Sequence, residues 1–371
     1  MNVQIPPLST RLHQGFYSKN QWLANYYSFR KNCAPSIGCD DQIKAFLNSI
    51  GKNSSDLALR YRGCFLGLAI GDAMGTTLEF SARKPTEDHT EIVGGGPFAL
   101  NAGEWTDDTS MALCLAHSMY SRCAFLLEDQ LEHYVDWWQN GFLSSNGICF
   151  DIGNTVQSAL QSYLHTKNPF SGSSDEFSAG NGALMRLAPV PMFFASNPAD
   201  AIEKSGESSK TTHGNVQSVD ACRYYAALIL GAFKGESKEL LLSSEYCPVK
   251  GLWEHFPLCE KVQEVAQGSY KTKARSEIKS TGYVIDSLEA ALWAFYSTDT
   301  FEGGLVKAVN LGGDADTIGA IYGQLAGAFY GESNIPFKYI APLKDFHYFY
   351  FFADEFLGFY NGRQELLDLN R

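Results

Sequence analysis

Between Asp56 and Ile70 the apolar residues Leu57, Leu59, Tyr61, Cys64, Leu68 and Ile70 recur at mixed three- and four-residue steps, which predicts a buried α-helix. Gly63, Gly67, Gly71 and Gly75 lie four apart in the same segment and form one smooth stripe on its face, open to close approach by another element. Glycine weakens a helix by about 1 kcal/mol relative to alanine, so such a stripe predicts a packing or ligand reason. A second stripe, Gly319, Gly323, Gly327 and Gly331, follows Thr317. Further helices are expected from Asp107 through Met119, over Leu126–Trp138, over Ala221–Phe233, and up to Tyr296. Gly180 to Arg186 reads as a glycine-rich turn entering a helix that Pro189 and Pro191 interrupt, and Lys234–Lys279 as a variable region. Aromatic residues crowd Phe337 to Arg371, a core-sealing helix.

Residues 1–56 read differently. They hold Phe16, Tyr17, Trp22, Tyr26, Tyr27 and Phe29, and the loop-like Gly51–Ser55 stretch separates them from the helical remainder, 57–371. A docked arm and a partner-binding element are both open readings. With 371 residues, 45% of them hydrophobic, the chain can bury a large core as one domain plus an appendage. The net charge of −12 offers no basic footprint, which predicts neither nucleic acid nor anionic membrane as a partner. No apolar run approaches the roughly 18–20 residues of a membrane helix, and Met1–Pro7 lacks the start of a secretory signal, so the expected location is cytoplasmic. The nine cysteines are scattered without a C-x-x-C pair, the pattern of free thiols rather than of a zinc site or disulfide framework.

Two acidic clusters carry the candidate chemistry. Thr106-Asp107-Asp108 opens one helix, and Asp314 and Asp316 with Thr317 follow the Gly312-Gly313 turn. Carboxylates and hydroxyls are the hard ligands that Mg²⁺ or Mn²⁺ prefers. Two adjacent aspartates cannot both cap one helix. If the glycine-striped helices cross, Asp107 and Asp108 come within reach of Asp314 and Asp316, and that many carboxylates suit a two-metal site. Asp72 and Glu79 each read as site-facing or as a cap and a surface charge. Gly180-Asn181-Gly182 offers backbone amides to an anion such as pyrophosphate. His213, at a helix mouth, is open to core, capping and ligand roles.

Taken together, Gly63 to Glu79, Thr106-Asp107-Asp108-Thr109, Phe150 to Thr155, Gly180 to Arg186, Thr212-His213 and Gly312 to Thr317 resemble the ADP-ribosylglycohydrolase family, that of the dinitrogenase-reductase-activating glycohydrolase. The motifs keep the family's order over roughly residues 58 to 335. The resemblance implies an all-α, compact multi-helix fold with a binuclear Mg²⁺ cleft at its centre. It implies hydrolysis of the N-glycosidic bond between ADP-ribose and a protein side chain, commonly arginine. Carried over by motif, the metal ligands are Thr106, Asp107, Asp108, Asp314, Asp316 and Thr317. The catalytic carboxylates are Asp107, Asp108, Asp316 and Glu79, the last matching a movable residue. Asp151, Ile152 and Gly153 flank the substrate on one side, and Asn181, Gly182, Met185, Arg186 and His213 surround the ADP-ribose.

The extension over residues 1–56 departs from the plain family pattern. Similar bacterial members act as immunity proteins that reverse the modification made by an ADP-ribosyltransferase toxin and plug its active site. An aromatic-rich arm suits insertion into a cleft. The alternative is a stoichiometric inhibitor that blocks the transferase without turnover.

Overall fold

The computed structural model describes residues 54–369. Helices carry the fold. Among the described residues the only β-type pairings are isolated bridges, Gly95 with Leu100, Ser173 with His213 and Gly180 with Tyr283. In chain order the helices are α1 (Asp56–Gly75), α2 (Asp107–Arg122), α3 (Leu127–Asn140), α4 (Asn154–Thr166), α5 (Pro189–Phe194), α6 (Pro198–Lys210) and α7 (Val216–Phe233). Then follow the short α8 (Lys238–Leu241), α9 (Leu252–His255) and α10 (Glu260–Ala266), and α11 (Val284–Tyr296), α12 (Phe301–Val309), α13 (Ala315–Tyr330), α14 (Phe337–Ile340) and α15 (His347–Leu369). Of the expected arm over residues 1–56, residues 1–53 lie outside the described residues; Ser55 belongs to the helical remainder, its side chain accepting from the Ala58 amide as the N-cap of α1.

At the centre, α1 and α13 cross antiparallel along their glycine stripes. A β-carbon on Gly67 would strike the Gly323 carbonyl, one on Gly71 the Gly319 carbonyl, and one on Gly63 the Gly327 carbonyl. With no side chain between them, the two backbones sit in contact. That contact is the compensation for seven poor helix formers in two buried helices. The eighth glycine of the pattern, Gly331, ends the stripe: it caps α13 with φ +76°, a β-carbon on Gly63 would lie 2.9 Å from its carbonyl carbon, and a β-carbon of its own would meet the Leu59 side chain at 3.5 Å. α15 closes the outer side of α1. Phe349 and Phe352 meet Phe65 with ring centroids 5.3 and 6.3 Å apart, and Arg62 forms an ion pair with Asp354 at 2.7 Å.

One expectation changes. The Gly180–Arg186 turn does not enter a helix; it stays irregular, and Pro189 then opens α5, because its missing N–H is an orphan at a helix start anyway. The Lys234–Lys279 region contains three short helices, α8 to α10, separated by loops.

Candidate active site

The crossing fixes the site because each striped helix carries acid at its mouth. Gly75 stands at the end of α1, and a β-carbon there would lie 2.5 Å from the backbone nitrogen of Asp316 in the first turn of α13. Four residues further on, Glu79 leaves the α1 end on a segment tied to the acidic turn from both directions. Phe80 donates its amide to the Gly313 carbonyl at 2.6 Å, and Gly313 donates to the Ser81 carbonyl at 2.8 Å. Gly312 and Gly313, at φ +68° and +62°, take the left-handed backbone the turn needs. Glu79 is buried.

The second wall is set by Asp72, one of two carboxylates the sequence left open. Its side chain is fully buried and accepts the amides of Thr106 and Thr109 at 2.9 and 3.0 Å and the Thr109 hydroxyl at 2.6 Å. An aspartate from α1 thus satisfies the free N–H groups at the start of α2, a capping task shared between helices. Asp107 and Asp108 are left to face the cleft. Burial pushes the Asp72 carboxyl up to about 6, against the hydrogen bonds that hold it down.

Within the cleft, Glu79, Asp151 and Asp316 place carboxylate oxygens within 4.8 Å of one another, and the group could hold a metal ion. The Thr106 hydroxyl lies 3.3 Å from Asp108 Oδ2 and 3.4 Å from Asp316 Oδ2, and the Thr317 hydroxyl donates to Asp108 Oδ2 at 3.3 Å. Asn181 donates to Asp314 at 2.6 Å. All eight of Glu79, Thr106, Asp107, Asp108, Asp151, Asp314, Asp316 and Thr317 therefore belong to one locality. Burial first, and mutual repulsion second, raise Asp107, Asp108 and Asp316 far above the usual carboxylate range. The same causes push Glu79 to about 11 and Asp151 to about 7, and burial raises Asp314. Asp108 Oδ1 and Glu79 Oε2 are buried without a hydrogen-bond partner among the described residues. So many carboxylates with orphaned oxygens, and no lysine or arginine paired to them among the described residues, form a donor set that could serve a hard divalent cation.

The remaining sequence-selected residues form a second group. Asp151, at φ +58°, Ile152 and Gly153 lead into α4, whose N-cap Gly153 supplies no side-chain cap. Gly182 and His213 touch, since a β-carbon on Gly182 would lie 2.8 Å from the imidazole. Met185 and Arg186 are buried beneath the turn; Arg186 donates from Nη1 and Nη2 to protein oxygens, while its Nε meets no acceptor among the described residues. Beside this group a cavity of about 470 Å³ is lined by Asn154, Thr155, Ser158, Ser173, Asp175 and Ser178. Pattern reading also passed over an aromatic wall at the cleft mouth. Phe80, 70% exposed at φ +56°, and Phe150 flank Phe98 at centroid distances of 6.5 and 5.2 Å. Its members are far apart in sequence, and only the exposure of so large a ring signals it.

The sequence profile of the ADP-ribosylglycohydrolase family matches residues 53–366. The chain is 43% identical over 282 residues to the ADP-ribosylarginine hydrolase Tri1 of Serratia proteamaculans (strain 568), covering 76% of this chain and 74% of that protein. It is 32% identical over 300 residues to the ADP-ribosyl-[dinitrogen reductase] glycohydrolase of Rhodospirillum rubrum, covering 79% of this chain and 92% of that one. A solved structure described as an ADP-ribosylglycohydrolase-related protein complex superposes with a TM-score of 0.70 at 38% identity, covering 82% of this chain and 98% of that chain. The glycine crossing, the acidic cleft it assembles and these likenesses agree, and the chain belongs to the ADP-ribosylglycohydrolase family.

Proposed function

We propose that the protein removes ADP-ribose from modified arginine side chains of proteins, with two Mg²⁺ ions, or Mn²⁺ in their place, held by Thr106, Asp107, Asp108, Asp314, Asp316 and Thr317. The observation that carries this reading is the convergence of these residues with Glu79 and Asp151 in one buried cleft with orphaned carboxylate oxygens. The 43% identity to a protein named as an ADP-ribosylarginine hydrolase supports arginine as the acceptor. When bound, the ions would polarise the ribose hydroxyls and a water molecule at the anomeric carbon.

The chain's own residues do the rest. The α4 N-terminus at Asp151-Ile152-Gly153 holds the diphosphate with backbone amides; in the glycine turn the Gly180 and Asn181 amides already donate to the Ser178 and Gly282 carbonyls at 2.8 and 3.1 Å, which leaves that of Gly182 for the ligand. Glu79, fixed by the Phe80–Gly313 backbone bridge and ionised once bound cations offset the repulsion that raises its carboxyl, would take the proton of the attacking water. The new C–O bond forms at the anomeric carbon as the C–N bond breaks, and the electron pair returns to the guanidine nitrogen. Asn181 orients Asp314, and Asp72 orients Asp107 and Asp108 through the head of α2. The test is a panel of arginine- and serine-ADP-ribosylated proteins with Mg²⁺. Release from arginine alone is expected; release from serine and not from arginine would overturn the acceptor assignment.

The arm over residues 1–56 is proposed to bind an ADP-ribosyltransferase toxin, so that the protein both reverses and blocks modification. Truncation at residue 53 keeps the Ser55 cap of α1 and separates the roles. A hydrolase keeps ADP-ribose release and loses only direct inhibition of the transferase, whereas a protein acting solely as a stoichiometric inhibitor has no release to keep. No helix among the described residues is long and apolar enough to cross a membrane. A cytoplasmic location is part of the same proposal.

A further inference from the structure

Arg186 is almost completely buried, and among the described residues no carboxylate pairs with it. Its guanidinium lies 4.7 Å from the Tyr134 ring centroid and donates to the Gly182 carbonyl at 2.9 Å, to the Thr211 hydroxyl at 3.2 Å and to the Thr212 hydroxyl at 2.7 Å. A guanidinium cannot accept, so the Thr212 oxygen is the acceptor in the last bond. The hydroxyl keeps one proton to donate. His213 Nδ1, 2.9 Å away, is the acceptor that meets it among the described residues. Nδ1 must then carry a lone pair, and the ring proton of the neutral imidazole sits on Nε2. Burial and the nearby Arg186 charge hold His213 down to about 3, so the ring is neutral at physiological pH.

Nε2 faces the glycine turn. A β-carbon on Gly180 would lie 3.0 Å from it, and one on Gly182 3.2 Å, so only glycines admit this ring edge. The same Gly182 position lies 3.5 Å from Val156 in the first turn of α4. Among the described residues no protein acceptor meets Nε2. We infer that Arg186 and Thr212 are a positioning pair that fixes His213 in its Nε2–H tautomer, presenting a hydrogen-bond donor to the diphosphate of ADP-ribose between the Gly180–Gly182 turn and the start of α4. This rests on the function proposed above. It also gives Arg186 a role that burial permits. The side chain acts through Thr212 and His213, at one remove from the ligand. Without the relay the ring is free to turn its lone pair toward an anionic oxygen, losing an attraction and adding a repulsion.

Nitrogen-15 NMR of ring-labelled protein at neutral pH, with the His213 signals assigned by their absence in His213→Asn, reads the tautomer directly. Titration with ADP-ribose reads affinity. Wild type is expected to show Nε2 protonated. Thr212→Val should populate the Nδ1–H form and weaken ADP-ribose binding roughly ten-fold or more, the value of one hydrogen bond to a charged oxygen. Thr212→Ser should restore both. Thr211→Val removes a partner of the same guanidinium but leaves the Nε2–H signature intact, which separates the relay from a general loosening; thermal unfolding of each variant checks folding. A wild-type ring protonated at Nδ1, or a Thr212→Val protein with altered tautomer and unchanged affinity, overturns the inference. Wild-type protein that does not bind ADP-ribose at all would refute the functional reading and the ligand half of this one together. ADP-ribose binding by an Nδ1–H ring would refute the relay alone.

Discussion

Replacing Gly75 with alanine should damage activity much more than stability. The new β-carbon would lie 2.5 Å from the Asp316 nitrogen, while an ordinary contact begins at 3.4 Å, so α13 must give way by about 0.9 Å. Overpacking of this kind costs about 1–3 kcal/mol, and alanine returns about 1 kcal/mol of helix propensity. The net loss is then roughly 0–2 kcal/mol, a fall of a few degrees in Tm at most for a domain of this size. The displaced atoms, however, belong to a residue proposed as both ligand and catalytic carboxylate. A misplacement near 1 Å costs on the order of 100-fold in rate. The assay is Mg²⁺-dependent release of ADP-ribose from an arginine-modified protein, run beside thermal unfolding. Gly358→Ala is the control: nothing lies within 4 Å of its β-carbon position in α15, and it should gain stability with activity unchanged. If Gly75→Ala keeps full activity and an unchanged Mg²⁺ requirement, the crossing is not what assembles the site.

Three further outcomes are expected. Asp72→Asn replaces one accepting oxygen by a donor facing the Thr106 or Thr109 amide; it should cost about 2–3 kcal/mol in thermal or denaturant unfolding and lower activity by more than that loss explains. In chelator-treated protein the carboxyls raised in the folded state hold protons that the unfolded chain releases from about pH 4 upward. Stability should therefore fall as pH rises through the range in which Asp72 (about 6) and Asp151 (about 7) titrate, and Mg²⁺ should flatten that slope in melting curves at pH 5 and pH 8. Thr317→Val removes the hydroxyl that donates to Asp108 and should weaken Mg²⁺ binding measured by calorimetry while leaving Tm within about 2 °C.

The crossing and the acidic cleft were legible because their signals are local and periodic. A four-residue glycine repeat has few uses in a buried helix, and paired aspartates beside threonines have few reasons to recur. The repeat holds to its end at Gly331, which faces Leu59 of α1 and, at φ +76°, also caps α13. Pattern reading stopped where a side chain's task depends on a distant partner. Asp72 and Glu79 are seven residues apart and looked alike, yet one is consumed by the head of α2 and the other points into the cleft. Arg186 matched a motif around the ligand, and only the hydroxyl of Thr212 reveals how a buried guanidinium can act there. Pro189 reads as a breaker in the sequence because nothing there shows that the preceding turn is irregular.

The most direct test of the account is ADP-ribose release from an arginine-modified protein by chelator-stripped enzyme titrated with Mg²⁺. No release without the ion, saturable release with it, and none from Asp316→Ala at any Mg²⁺ concentration are predicted. Release that is indifferent to chelator, or undiminished in Asp316→Ala, would contradict the claim that two acidic clusters, joined by a glycine crossing, make one metal-dependent site.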